Sequence, residues 1–118
     1  MGDFKKLKVW TRSIDLAAVL HQATRSFPRD ERFSLTVQLH RAAVSVASNI
    51  AEGEGRGGDR ESARFFRIAR GSLHEVECQL HVAHRLRYLS DQQFDQLNQE
   101  ATEISRMLLA LIRHRSKA

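Results

Sequence analysis

Residues 59–88, which read DRESARFFRIARGSLHEVECQLHVAHRLRY, decide the fold class. Apolar side chains recur in this stretch every three or four residues, a spacing that places them on one face of an α-helix. They are Phe65, Phe66, Ala69, Leu73, Val76, Leu80 and Ala83. Asp59 stands where an N-cap residue would accept a hydrogen bond from the first helical turn. The pattern predicts one long helix with a single buried face.

Three further segments show the same helical period, and short stretches with start or stop signals separate them. The predicted helices span residues 9–26, 32–52, 59–88 and 91–114. The first stops ahead of Pro28, the second stops at Gly53, and Ser90 with Gln93 has capping-box spacing for the fourth. We therefore expect residues 1–118 to form one domain, an all-α antiparallel up-down-up-down four-helix bundle.

The first two helices are apolar on a second side as well. The residues of these second stripes are Trp10, Ile14, Val37, Val44 and Ala51. A chain of this length cannot bury both sides of two helices in one core. We expect the second stripes to form the interface of a homo-oligomer, the alternative being that these residues are singly exposed.

Gly71 lies in the middle of the third predicted helix, where glycine costs about 1 kcal/mol relative to alanine in helix propensity. We expect another helix to cross closely at this point and compensate for that cost.

The charge balance favours negatively charged partners. Lys and Arg number 19 against 14 for Asp and Glu, which gives a formal net charge of +5 and a pI near 10.1. The lone Cys78 excludes a disulfide-stapled scaffold. This exclusion leads us to expect a cytoplasmic protein, and the N-terminus has no apolar run long enough for a signal peptide. No apolar run reaches the roughly 18 residues of a membrane span.

Arginines follow the third helix on the side opposite its apolar stripe, at i, i+4 and i+7. We name this set, with the residue just before the helix and the one at its flank, the arginine ridge: Arg56, Arg60, Arg64, Arg67 and Arg70. Such a ridge can follow a phosphate backbone without reading bases. The alternative is a solvated face partly neutralised by Asp59 and Glu61. Since Phe65 and Phe66 are expected in the core, base stacking is not expected beside the ridge.

Catalytic chemistry finds little support in the sequence. His74, Glu77, Cys78 and His81 share one side of the third helix, but the Glu-x-x-His pairs of a di-iron bundle are absent. The glycines of 53–58 lack the Gly-Lys-Ser/Thr ending of a phosphate-binding loop. We expect no catalytic residue, metal or cofactor. A metal-dependent enzyme would require those four side chains to bind a metal.

The run RAAVSVASNIAEG at 41–53, followed by Arg56, resembles the signature of the bacterial four helix bundle protein family, also described as 23S rRNA intervening-sequence proteins. The resemblance extends from Phe4 to about Leu89. It implies an antiparallel bundle that assembles into a homopentameric ring and has no catalytic residues. The signature positions in this chain are Arg41, Asn49, Glu52, Gly53 and Arg56. We expect Glu52 to pair within the ring with an arginine such as Arg41 or Arg56.

Family members are encoded within 23S rRNA genes, and relatives serve as accessory proteins to reverse transcriptases in diversity-generating retroelements. The resemblance and the charge together predict a non-enzymatic ring that binds RNA or DNA non-specifically through the arginine ridge and the basic terminal segments. The alternative is a scaffold or adaptor, for example for a reverse transcriptase, that does not itself bind nucleic acid.

Overall fold

Four long helices make up most of the protein. The computed structural model describes residues 2–56 and 58–117. The helices are α1 (Lys8–Ala23), α2 (Leu35–Gly55), α3 (Asp59–Arg85) and α4 (Asp91–Ser116). Short 3-10 turns span Phe4–Lys6, Thr24–Ser26 and Arg29–Glu31, and the described ranges contain no strand. The predicted all-α four-helix fold is confirmed.

Contacts near the helix ends show that the helices follow an up-down-up-down order. Tyr88, just after α3, donates a hydrogen bond to Glu31, just before α2, at 2.7 Å. The amide of Gly2, ahead of α1, donates to the carbonyl of Glu54 near the end of α2. Arg67, near the start of α3, donates to Ser116 at the end of α4 at 2.9 Å. Successive helices therefore run antiparallel, and α3 packs extensively against both α2 and α4.

Helix α1 closes the bundle against α2 and α4. The guanidinium of Arg12 donates from Nε and Nη2 to the two carboxylate oxygens of Glu100, each at 2.8 Å. We name this contact the α1–α4 ion pair. Further along the same seam, a groove of about 520 Å³ lies open between the two helices, with Val19 about half exposed beside it. We name it the α1–α4 groove.

The predicted apolar stripes form the core. The largest fully buried hydrophobic side chains come from all four helices: Leu20, Leu39, Val46, Ile50, Phe66, Leu73, Val76, Leu80, Ile104 and Leu108. None of the helices described in 2–56 and 58–117 is both long and apolar enough to cross a bilayer.

The end of α1 and the beginning of α2 differ from the predicted residues. Helix α1 ends at Ala23, and the rest of its predicted range forms the turn Thr24–Ser26. Helix α2 begins at Leu35 instead of residue 32, since the carboxylate of Glu31 accepts a hydrogen bond from Ser34 and holds the intervening residues in a turn.

Helix α2 also continues beyond its predicted stop at Gly53 and ends at Gly55. Gly53 is buried, and a Cβ atom there would lie 2.8 Å from Cε1 of Phe66. Gly53 therefore serves the close approach of α3 and does not terminate the helix.

The predicted N-cap residue of α3, Asp59, is also corrected by the structure. The N-cap residue is Gly58, which offers no side-chain acceptor, and Asp59 is the first helical residue. Its carboxylate therefore lies in the first turn, where negative charge favours the helix dipole. Helix α3 ends at Arg85, ahead of Arg87 in the left-handed region at φ 63°. The capping box of Ser90 and Gln93 at the start of α4 is confirmed.

The expectation of a helix crossing at Gly71 is wrong. The residue is exposed on α3, and a Cβ atom there would meet nothing within 4 Å. No contact within the described chain offsets the low helix propensity of this glycine.

Candidate functional site

The fold gathers positive charge at one end of the bundle, where α2 and α4 end and α3 begins. The hydroxyl of Ser62 in α3 donates to the carbonyl of Gly53 in α2 at 2.7 Å. Arg115 in α4 pairs with Glu54 in α2 at 2.7 Å, and both side chains are mostly buried. The segment ahead of α1 reaches the same place through Gly2.

We name this region the basic end. Its ten basic residues are Lys5, Lys6, Lys8, Arg56, Arg60, Arg64, Arg67, Arg113, Arg115 and Lys117. Its five acidic residues are Asp3, Glu52, Glu54, Asp59 and Glu61. The excess of bases over acids equals the formal net charge of the whole chain, +5. The rest of the bundle is therefore close to neutral, and the electric field of the protein is strongest at this end.

Three arginines of the arginine ridge are exposed on the outward face of α3, as predicted. Arg60 is exposed. The Nε of Arg64 donates to Glu61 at 2.7 Å, and the Nη2 of Arg67 donates to the hydroxyl of Ser116 at 2.9 Å. A guanidinium group has five N–H donors, so these bonds leave other donors of Arg64 and Arg67 available to an acceptor in solution.

Arg70 differs from the other members of the arginine ridge. Its side chain is half-buried, and its Nε donates to the hydroxyl of Ser105 in α4 at 3.2 Å. Arg70 therefore packs in the α3–α4 seam, and the exposed part of the ridge consists of its first four members.

Phe65, which the sequence predicts in the core, is only partly buried and lies beside the arginine ridge. The guanidinium carbons of Arg56 and Arg64 lie 4.8 and 4.6 Å from the centre of its ring. The reason is that Phe66, the next residue, occupies the centre of the buried stripe, and consecutive helical residues point about 100° apart. That angle is the sequence signal which could have separated the two phenylalanines.

Of the signature residues in α2, Asn49, Glu52 and Gly53 lie near the basic end, whereas Arg41 lies closer to the start of the helix. Asn49 donates to the carbonyl of Ser45, one turn back, at 2.9 Å. Glu52 pairs with Arg56 within the same chain, one helical turn apart. Arg41 is exposed on α2, about 16 Å from Glu52 along the helix axis, so it cannot reach that carboxylate within one chain.

Four of the five residues expected at a subunit interface come together. These four, Trp10, Ile14, Val44 and Ala51, line an apolar groove of about 260 Å³ between α1 and α2. We name it the α1–α2 groove, and its other lining residues are Phe4, Ala17, Ala47 and Ser48. Ile14 and Val44 are 41% and 57% exposed, and because both line this groove they leave a shared apolar surface uncovered in the single chain. Val37 is partly buried and lies outside the groove.

The histidine-rich side of α3 does not form a metal site. Within residues 2–56 and 58–117, no group of three or more His, Cys, Asp or Glu side chains is placed to hold a metal ion. His74 and Cys78 are exposed, and Glu77 is half-buried. His81 contacts the ring of Phe94 edge-on, with 4.9 Å between ring centres.

The sequence matches the model of the 23S rRNA-intervening sequence protein family over residues 5–110. The chain belongs to this family. A solved structure of a protein of unknown function from the S23 ribosomal protein family of Bacteroides thetaiotaomicron VPI-5482 is 23% identical and has a TM-score of 0.79. The match covers 88% of this chain and 97% of that one, and at this identity it supports the fold alone. No curated protein matches the chain. The family membership agrees with the resemblance carried by residues 41–53.

Proposed function

We propose that this family member is a non-enzymatic, cytoplasmic, ring-forming protein that binds RNA or DNA non-specifically through the basic end. The observation that carries the proposal is the concentration of the net charge at that end, with Arg56, Arg60, Arg64 and Arg67 exposed there. Guanidinium groups bind phosphate oxygens well because their N–H donors form a planar fork.

Self-association through the α1–α2 groove would strengthen the same function. A second copy that covers the α1–α2 groove would remove Ile14 and Val44 from water, and each added copy brings another basic end to the assembly. The family resemblance implies five copies. Several basic ends in one particle multiply a modest charge per chain into a strong field for a polyanion.

The ligand test compares charge reversals at two places. Arg60→Glu combined with Arg64→Glu changes the basic end, while Arg25→Glu combined with Arg29→Glu makes the same change in charge at exposed positions of the opposite end. Fluorescence anisotropy with a labelled RNA or DNA duplex, over a range of salt concentrations, measures affinity. We expect the first variant to lower affinity and to reduce the slope of log K against log salt by about 2, since two phosphate contacts are lost.

The control variant should retain most of the affinity and the slope. Equal losses in both variants would mean that net charge alone acts, and unchanged affinity in the first variant would overturn the assignment to the arginine ridge. Circular dichroism should show both variants folded, because all four side chains lie outside the core.

The assembly test uses Val44→Glu, with Val19→Glu as its control. Both side chains are about half exposed on helices of the same bundle, so neither change disturbs the core. Light scattering should show a smaller particle for Val44→Glu and an unchanged one for Val19→Glu. An unchanged mass for Val44→Glu would contradict the interface at the α1–α2 groove.

A second candidate function is a protein–protein adaptor, for example for a reverse transcriptase. The observation that favours it is the α1–α4 groove, which Leu16 and Leu97 line with apolar surface beside half-exposed Val19. It becomes the leading function if no nucleic acid binds at low salt, and Val19→Glu is then the variant expected to weaken partner binding.

A further inference from the structure

Phe65, Arg56 and Arg64 form a compact stack at the basic end. Both guanidinium carbons lie less than 5 Å from the centre of the phenylalanine ring, well within the range of cation–π attraction. The ring itself is partly buried, and the arginine side chains are 47% and 59% exposed. We name these three residues the Phe65 stack. Its outer surface consists of flat, positively charged groups in contact with solvent.

Carboxylates hold both arginines in place from one edge. Arg56 bonds to Glu52 through Nη2, and Arg64 bonds to Glu61 through Nε. The flat faces of the guanidinium groups, and their other N–H donors, are not used by these ion pairs. Because the ion pairs and the contact with Phe65 restrict the two long side chains, binding a ligand to them loses less conformational entropy than binding to free surface arginines.

The chemistry of this surface selects its ligand. Nucleic acid bases stack on aromatic rings and on guanidinium planes, but a base inside a duplex has both faces covered by its neighbours. Only a single strand can place a base against the Phe65 stack while its phosphates contact Arg60 and Arg67, which are exposed on the same helix.

We propose that the Phe65 stack binds an unpaired base, so that this protein prefers single-stranded nucleic acid to duplex. The inference rests on the proposed function, because the arginine ridge must first hold the phosphates. It adds a stacking contact that requires no particular base, which agrees with binding that does not depend on sequence.

The chain offers a matched control at its other end. Phe33 is 81% exposed, and the guanidinium carbon of Arg32 lies 4.7 Å from its ring centre. This pair has the same chemistry as one half of the Phe65 stack but lies outside the basic end. Phe33→Leu therefore controls for the loss of a phenylalanine ring next to an arginine.

The experiment measures the affinity of the full chain for an oligouridine RNA, an oligothymidine DNA, the same DNA backbone with abasic sites, and a duplex. The wild-type protein should bind both normal strands about five- to tenfold more tightly than the abasic strand. Phe65→Leu should abolish that difference and leave duplex affinity unchanged. Phe33→Leu should preserve the difference.

The comparison of normal with abasic strands in the wild-type protein needs no variant, so it tests the proposal even if Phe65→Leu does not fold. Equal wild-type affinity for the two strands would overturn the stacking contact, as would a Phe65→Leu protein that keeps the preference. If these results occur while reversal of Arg60 and Arg64 still weakens all binding, the arginine ridge stands and only the stacking contact fails. If no strand binds in a salt-dependent way, both the ridge and the stack are wrong.

Discussion

Replacing Gly53 by alanine should destabilise the protein, although alanine is the better helix former. The added Cβ would lie 2.8 Å from Cε1 of Phe66 and 3.0 Å from Cβ of Phe65. Phe66 is fully buried and cannot move aside. Overpacking of this kind costs about 1–3 kcal/mol, against a gain of about 0.5–1 kcal/mol in helix propensity. We expect a net loss of up to about 2.5 kcal/mol in the free energy of unfolding.

Gly71 provides the matched control because it also lies inside a long helix. A Cβ atom added there would have no neighbour within 4 Å, so Gly71→Ala receives the propensity gain without the steric cost. This variant should be more stable than the wild type by about 0.5–1 kcal/mol. The difference between the two alanine variants isolates the close approach of α3 to Gly53.

Urea denaturation followed by circular dichroism, at one fixed protein concentration, measures both changes. For a chain of this length, 1 kcal/mol corresponds to about 4 °C in Tm, so thermal melts resolve the difference as well. A Gly53→Ala protein as stable as Gly71→Ala would refute the reasoning, since Gly53 would then not be required by the packing of Phe66.

Three further predictions concern polar contacts. Glutamine substitutions at Arg12 and Glu100, made singly and together, form a double-mutant cycle for the α1–α4 ion pair. The coupling free energy should be about 0.5–1 kcal/mol and should decrease in high salt. A coupling free energy of zero would show that the bidentate contact does not stabilise the bundle. Hydrogen bonds from Ser34 and Tyr88 lower the pKa of Glu31 in the folded protein, so the unfolded chain takes up a proton first as the pH falls. The protein should therefore lose stability below a pH of about 4.5, and Ser34→Ala should flatten that loss in urea titrations. Burial, together with the neighbouring His21, lowers the pKa of His40 in the folded protein. Because the unfolded chain then takes up a proton first, the free energy of unfolding should fall as the pH drops below about 6.5. His40→Gln should remove this loss of stability.

The sequence was sufficient to predict the helices and their buried faces. A period of three to four residues reports burial directly, and the core residues of α3 from Phe66 to Ala83 lie where the pattern places them. The second stripes of α1 and α2 were equally informative, since Trp10, Ile14 and Val44 line one groove.

The glycines could not be interpreted from the sequence alone. A glycine either interrupts a helix or admits a close neighbour, and the choice depends on a residue far along the chain. At Gly53 that residue is Phe66, which belongs to another helix, whereas Gly71 has no such neighbour. The same limit applies to the start of α3, where Gly58 replaces Asp59 as the N-cap residue.

The candidate site was predictable only along one helix. Spacing placed Arg60, Arg64 and Arg67 on one face of α3, and the structure agrees. The contact of Arg56 and Arg64 with Phe65 was not predicted, because it depends on α2 ending beside that ring. The charge of the basic end likewise depends on topology, which brings the ends of α2 and α4 to the beginning of α3.

The α1–α4 groove also has a consequence for the motions of the native protein. Helix α3 is held on both sides by α2 and α4, whereas α1 is separated from α4 along part of its length by an open space of about 520 Å³. Detaching α1 therefore exposes less apolar surface than separating α3 from its neighbours. Amide hydrogens of α1 should exchange with solvent deuterium through local opening, while those of α3 exchange only when the whole bundle unfolds.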